Sequence, residues 1–294
     1  MADILIVTDG KAGHQNQSLG LAEALVRLRP GVSIRQIAPL SSTQAMFAML
    51  SGRYAYVEER PALVIGAGHG THLTLLALKR CWHMPVIVLM RPSLPLCLFD
   101  LCLIPEHDRP PKRRNVIATR GALNRIRSGT VKSGAGLVLI GGPSKNSEWN
   151  EPLLLRQVEE VVRQAPGAWV LTTSRRTPVS TVEKLKSLVG IDVVPVEQTT
   201  SDWLPEKLAA AEQCWVTEDS VSMIYEALSA GCAVGLLEVP WKRQGRLLRG
   251  VNVLKEQGLL TPFDRWSGAR LPAPGRRLDE AMRCAEAVLG RGWL

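Results

Sequence analysis

The chain has 294 residues, 46% hydrophobic and 21% charged, with a formal net charge of +9. At roughly 150 residues per domain this suffices for about two globular domains with cores of their own. No apolar run reaches the roughly 18 residues that span a bilayer, and the positive charge favours an anionic partner. The eight Trp are scattered singly rather than interleaved with a basic stripe, which argues against nucleic acid. Cys81, Cys97, Cys102, Cys214, Cys232 and Cys284 form no C-x2-C pairing and read as small core residues, with neither zinc nor disulfides expected. The first strand starts at Ile4 without a basic segment or cleavage site ahead of it, so a cytoplasmic location is expected.

In chain order, residues 4–7 read as an apolar strand, followed by a polar turn over 8–17 and a helix carrying Leu19, Ala22, Leu25 and Val26 on one face. Further strands are predicted at 33–37, 63–66, 86–89 and 101–104, with helices near 44–50 and 71–80. Polar, basic stretches at 109–114 and 120–133 interrupt this rhythm and mark the expected linker. A second series follows: strand 136–140, helix 153–163, strand 169–172, helix 179–189, strand 193–196, helix 205–211, strand 214–217, helix 221–230 and strand 233–237. Helices near 244–257 and 278–289 close the chain. Strands alternating with helices imply parallel sheets covered on both faces.

Open α/β sheets bind ligands beyond the carboxyl ends of their strands, so the loops there carry the candidate chemistry. The first holds Asp9, Lys11, His14 and Asn16. Either Asp9 or His14 can take a proton from an acceptor hydroxyl; alternatively, Asp9 and Asn16 cap the turn and the following helix. Neither G-x-G-x-x-G nor a P-loop is present there. The segment 66–72 sets three glycines behind a strand, where backbone can approach a ligand. His69 and His72 lack a third ligand nearby and read as lining a cleft rather than holding a metal. Arg91 and the run Glu106, His107, Asp108 form a further acid/base set on the same edge, unless Asp108 simply pairs with the basic run after it.

In the second half, Gly142, Ser144 and Lys145 follow the first strand and Ser174 and Arg175 the second, hydroxyl and cationic donors suited to phosphate oxygens. For Arg175 and Arg176 the alternative is ordinary solvated arginine. Lys242, Arg243, Arg246 and Arg249 give a cationic face, read as solvated charge or as a phosphate or lipid-headgroup contact. The most informative stretch is 216–234, VTEDSVSMIYEALSAGCAV: a strand end, the turn Glu218, Asp219, Ser220, a helix with Val221, Ile224 and Leu228 at helical spacing, and a stop at Gly231. Glu218 falls at the helix mouth and Glu226 in its first turns, two carboxylates that suit the vicinal hydroxyls of a sugar and a ribose. The plainer reading is one surface and one helix glutamate of any α/β protein.

Taken together, the segments 9–17 (DGKAGHQNQ), 66–70 (GAGHG), 91–93 (RPS), 105–108 (PEHD), 119–124 (TRGALN), 141–145 (GGPSK), 173–178 (TSRRTP) and 217–220 (TEDS) resemble the mitochondrial-fission Elm-type family over nearly the whole chain. In plants that family is tied to mitochondrial division; its bacterial branch resembles glycosyltransferases of envelope polysaccharide or lipopolysaccharide. The resemblance implies an α/β, GT-B-like fold of two Rossmann-like, doubly wound domains facing across a cleft. Residues 1–130 are then the acceptor-side domain, 131–275 the donor-side domain, and 276–294 a C-terminal helix packing back on the first. Within the GT-B pattern the chain departs in having Asp219-Ser220 where many members carry Gly-Phe, and Ala233 where Pro is frequent.

The expected activity is metal-independent transfer of a sugar from a nucleotide-diphospho-sugar, with no cofactor beyond that donor, to an envelope glycan or a lipid-linked or lipopolysaccharide-core acceptor. Asp9, His14 and Glu218 are the expected catalytic residues. Gly142, Ser144, Lys145, Ser174, Arg175, Glu218, Asp219, Ser220 and Glu226 are expected on the donor, and Lys11, Asn16, His69, Arg91, Glu106 and His107 on the acceptor side. An anionic, lipid-linked acceptor accounts for the +9 charge and brings the protein to the cytoplasmic face of the inner membrane as a peripheral contact. The alternatives are a nucleotide-sugar epimerase or hydrolase on the same fold, or a non-catalytic adaptor as in mitochondrial fission.

Overall fold

The computed structural model describes residues 3–54, 59–127, 134–165, 167–243, 245–275 and 278–294. The end of the expected linker (128–133), the expected domain divisions at 130/131 and 275/276 and the first residue of the helix expected from 244 lie outside the described residues. Two compact units emerge, Met1–Arg125 with Asp279–Leu294, and Ile126–Leu278.

The first unit contains β1 (Asp3–Val7), α1 (Ala12–Leu28), β2 (Ser33–Ile37), α2 (Ser42–Ser51), β3 (Leu63–Ala67), α3 (His72–Trp82), β4 (Val86–Leu89), β5 (Leu101–Pro105) and β6 (Val116–Thr119). The strands form one sheet in the order β2-β1-β3-β4-β5-β6, every described pairing parallel. A parallel sheet is buried on both faces, which is why β1 is apolar throughout instead of alternating. Its successive side chains feed opposite layers: Ile4 and Ile6 pack with Leu21 and Leu25 of α1, while Leu5 and Val7 pack with Ala45 and Ala48 of α2 and Leu75 and Leu78 of α3. The edge strand β6 was not expected from the sequence: it is four residues long, ends on the buried Thr119 and follows a Pro-, Lys- and Arg-rich stretch that reads as linker.

The second unit repeats the architecture with β7 (Gly136–Leu139), α4 (Glu151–Gln164), β8 (Trp169–Thr172), α5 (Val179–Lys186), β9 (Ile191–Val194), α6 (Trp203–Ala210), β10 (Gln213–Thr217), α7 (Val221–Ser229), β11 (Ala233–Leu237), α8 (Arg246–Glu256) and β12 (Thr261–Pro262). Its sheet runs β12-β11-β10-β7-β8-β9, again with parallel pairings. Leu137 and Leu139 enter one core layer and Val138 and Ile140 the other. β9 begins two residues earlier than the sequence suggested: Pro195 has no amide to donate to the ladder, and a 3-10 turn, Val196–Gln198, follows it.

The chain then returns to the first unit as α9 (Glu280–Leu289), N-capped by the Asp279 side chain. Ala281, Cys284, Ala285 and Val288 join Leu21 and Leu25 in the layer under α1. No helix among the described residues is long and apolar enough to cross a membrane. What matters for function is where each strand order reverses: between β1 and β3 in the first sheet, and between β7 and β10 in the second. At such switch points the loops leaving the two strands diverge and open a crevice beyond their carboxyl ends.

Candidate functional site

In the first unit the loops beyond β1 and β3 bring together Asp9, His14 and Gly68. His14 lies in the first turn of α1, and its Nδ1 stands 2.9 Å from Asp9 Oδ2 and 3.0 Å from Oδ1. Asp9 Oδ1 also accepts from the Lys11 amide (3.3 Å), and Lys11 Nζ lies 3.6 Å from Oδ2. Asp9 thus caps the turn and holds the imidazole at once. Burial pushes the Asp9 carboxyl up, but the His14 N–H, the Lys11 amide and the charges of both residues outweigh it and hold the carboxyl below its ordinary value. With Nδ1–H donated to a carboxylate, Nε2 is the basic nitrogen, and it makes no hydrogen bond among the described residues.

The β3 loop is shaped around that imidazole. Gly68 sits at φ +84°, and a Cβ there would lie 2.3–2.4 Å from the His14 ring. Its carbonyl accepts from Thr71 Oγ1 at 2.9 Å, which fixes the 3-10 turn His69–Thr71. His69 is exposed in that turn, whereas His72 is buried, bonded through Nδ1 to Ser93 Oγ (3.2 Å) and packed edge-on against Phe99. Burial, with the nearby charge of His69, lowers the His72 pKa. Asn16 lies inside α1 and accepts from the Arg125 amide at 3.4 Å. Arg91 donates to the Asp108 and Arg109 carbonyls (2.9 and 3.4 Å), clamping the turn that carries Glu106 and His107. No group of three or more His, Cys, Asp or Glu with metal-binding proximity occurs among the described residues.

In the second unit three loops are tied into one another at the β7/β10 switch point. Gly141 N donates to Thr217 Oγ1 (2.8 Å) and Gly142 N to Asp219 Oδ2 (3.1 Å). Arg176, from the loop beyond β8, donates to the Gly142 and Pro143 carbonyls (2.5 and 3.2 Å), to Asp219 Oδ2 (2.7 Å) and to Ser220 Oγ (3.2 Å). Thr177 Oγ1 donates to the Gly141 carbonyl (2.5 Å) and accepts from the Ser174 amide (2.9 Å). The Asp219 side chain is fully buried in this knot, and its Oδ1 has no partner among the described residues. A Cβ at Gly142 would meet the Arg176 carbonyl at 2.3 Å, so the loops close this tightly only around glycine.

Glu218 is 5% exposed and both its oxygens are engaged: Oε2 accepts from Trp241 Nε1 at 3.0 Å, and Oε1 from the Lys255 ammonium of α8. Glu226 sits in the second turn of α7 and is partly buried. Ser144 Oγ accepts from the Asn146 and Ser147 amides (both 3.1 Å), ordering its own loop. That loop runs beside the one beyond β11, through Glu148 N to the Pro240 carbonyl (2.7 Å) and Lys242 N to the Asn146 carbonyl (2.8 Å). Lys145 and Lys242 therefore stand on neighbouring segments. Their side chains and those of Arg175 and Arg243 are exposed, with no ion pair or side-chain hydrogen bond among the described residues.

Sequence reasoning did not single out Arg176, Thr177, Trp241 or Lys255 as site residues. Arg176 differs from Arg175 by one position, and nothing local says which arginine turns inward. Lys255 is 37 residues from its partner, beyond any spacing rule.

Two Rossmann-like, doubly wound units with polar loops at both switch points define a GT-B-like protein. Across the whole of this chain and 92% of the other, the fold matches MurG of Acinetobacter baumannii at 11% identity with a TM-score of 0.52. It likewise matches UDP-GlcNAc 2-epimerase from Methanocaldococcus jannaschii over 98% and 99% of the two chains, at 11% identity and a TM-score of 0.53. The sequence profile of the family described as Mitochondrial fission ELM1 matches residues 12–291, and the chain belongs to that family. RP120, an uncharacterised protein of Rickettsia prowazekii (strain Madrid E), is 22% identical over 97% of each chain.

Proposed function

We propose that the protein transfers a sugar from a nucleotide-diphospho-sugar to a hydroxyl of an anionic glycan or lipid-linked acceptor, without a metal. The observation that carries this reading is the Asp9–His14 pair at the first switch point. A carboxylate that fixes the imidazole tautomer leaves Nε2 to accept a proton from an attacking hydroxyl, and Asp9 balances the positive charge His14 then acquires. In the second unit, the clasp of Arg176 and Asp219 serves as the rigid floor of the donor loops. Lys145, Arg175 and Lys242 face outward with uncommitted charge and take the diphosphate, whose departure they stabilise as negative charge develops on it. Glu226 takes the ribose hydroxyls, and Glu218 positions the β10 loop through Lys255 and Trp241. Arg91 shapes the acceptor-side turn bearing Glu106 and His107, while Lys11, Asn16 and His69 border the same loops. The likeness to both a transferase and an epimerase supports the fold alone, so the reaction rests on this geometry.

The test is a thermal-shift titration with UDP, GDP, ADP and CMP and their sugars, followed by product analysis with the donor that binds. A ligand bound only by the native state raises its Tm. A selective shift, unchanged in His14→Gln while glycosyl transfer is lost, is the expected result. Transfer that survives His14→Gln overturns the base assignment. An epimer or free sugar released at full rate without any acceptor replaces transfer by epimerisation or hydrolysis, and no shift with any nucleotide removes the donor reading altogether.

A further inference from the structure

The first unit carries a surface that the proposed chemistry does not use. On α2, Met46, Phe47 and Leu50 are 51%, 72% and 81% exposed, and their spacing of three and four places them on one helix face. The opposite face is what anchors the helix: Ala45 and Ala48 are buried, and the Ala48 carbonyl accepts from Cys81 Sγ. Large apolar side chains presented together on an exposed helix face mark a contact surface, not a folding requirement.

Met49, one position round the helix, lines a cavity of about 750 Å³ together with Leu76, Met84, Leu98 and Trp293. Pro85 and Asp100, just ahead of β4 and β5, also border it, so it opens at the amino-terminal edge of the sheet, the edge away from Asp9 and His14. Lys79, Arg80 and His83 stand on its wall, and Arg53 and Arg60 are exposed nearby in sequence and structure, Arg60 donating to the His83 carbonyl. Asp100 is already engaged by Lys79 and by the Val86 amide. The other described carboxylate close by in sequence is that of Glu59, and α2 itself bears no acidic residue.

We infer that this face of α2, with the adjoining cavity, docks the protein on an anionic lipid bilayer, Phe47 and Leu50 entering the interface and the cavity accepting an acyl chain. An apolar helix face rimmed by guanidinium and ammonium groups is the pattern that combines buried apolar area with attraction to anionic headgroups. A second copy of the chain is the weaker occupant. A two-fold contact through α2 would set Arg53 and Arg80 against their own images with no acidic residue of the helix between them.

The inference is independent of the sugar chemistry and is tested by co-sedimentation of the full chain with phosphatidylglycerol-containing or pure phosphatidylcholine vesicles at low and high salt. Binding is expected on the anionic vesicles alone and is weakened by salt. Phe47→Glu, at a site open enough to leave the fold intact, is expected to lower the partition coefficient about tenfold or more. The charge reversal Arg53→Glu with Arg80→Glu is expected to abolish the preference for anionic vesicles, and an unchanged melting temperature certifies each variant as folded. No binding to anionic vesicles, or binding that folded Phe47→Glu retains in full, overturns the proposal. So does a concentration-dependent dimer that Phe47→Glu dissociates in the absence of vesicle binding, which would assign the face to self-association.

Discussion

Replacing Glu218 by Ala separates a residue that touches ligand from one that builds the loop. In the structure its carboxylate joins two elements, accepting from Trp241 Nε1 and pairing with Lys255 of α8, at 5% exposure. Removing one partner of a buried pair costs about 3–5 kcal/mol, because the other charge is left behind. The Lys255 side chain is 25% exposed and can turn its ammonium toward water, which places the cost near the low end, about 3 kcal/mol. The abandoned Trp241 N–H adds about 0.5–1 kcal/mol. For a protein of this size each kcal/mol is about 2–4 °C, so the Tm of Glu218→Ala should fall by about 7–16 °C. Differential scanning calorimetry and urea unfolding measure it, with Lys255→Met and the double variant closing a thermodynamic cycle. The double variant should be less destabilised than the two single changes together, since neither charge is then stranded. A Tm within about 2 °C of wild type, combined with loss of nucleotide-sugar binding, would refute the reasoning and return Glu218 to the ligand.

Three further outcomes follow from the same geometry. Gly68→Ala sets a Cβ against the His14 ring at φ +84°, so it should cost about 1–3 kcal/mol and displace the imidazole from Asp9. Acceptor-dependent turnover should then drop while nucleotide affinity, measured by calorimetry, holds; wild-type turnover would contradict the contact. Arg176→Lys cannot reproduce the forked contacts to Gly142, Pro143 and Asp219 and should lose about 1–3 kcal/mol. Arg175→Lys, on the surface, should stay within about 0.5 kcal/mol, and equal shifts in urea midpoint would dismiss the asymmetry between the neighbouring arginines. His72 has a folded pKa below its ordinary 6.5. The unfolded chain therefore takes up this proton first, and the stability that depends on neutral His72 is complete above pH 6.5 and declines as pH falls through 6.5 toward the lowered value. In urea titrations, His72→Gln should lose less stability than wild type between pH 7.5 and 5.5. Identical losses would rule out burial as the cause.

Much of the fold was legible because both sheets are parallel. Strands such as Ile4 to Val7 and Val86 to Leu89 must be apolar on both faces, so each reads as an unbroken run between polar loops, and the expected limits of β4, β8 and β11 coincide with those observed. Where that signal fades, so did the reading. β6 is a four-residue edge strand that follows a basic stretch, and β12 has two residues, one of them a proline.

The site divides the same way, and for a related reason. That the loops after β1, β3, β7, β8 and β10 would carry chemistry follows from the strand-edge rule, which needs only local sequence. Which side chain in a loop faces inward is decided by partners that sequence spacing does not reveal. Asp9 and His14 are five residues apart, and their pairing was within reach of the sequence. Arg176 meets Asp219 across 43 residues, and Gly142 meets the same carboxylate across 77. Sequence alone puts Arg175 on the donor and passes over Arg176; the fold sets Arg176 in the knot that shapes the loop and leaves Arg175 exposed, with no ion pair among the described residues. On the proposed donor reading, exchanging Arg175 should change ligand binding, while exchanging Arg176 should change the loop itself.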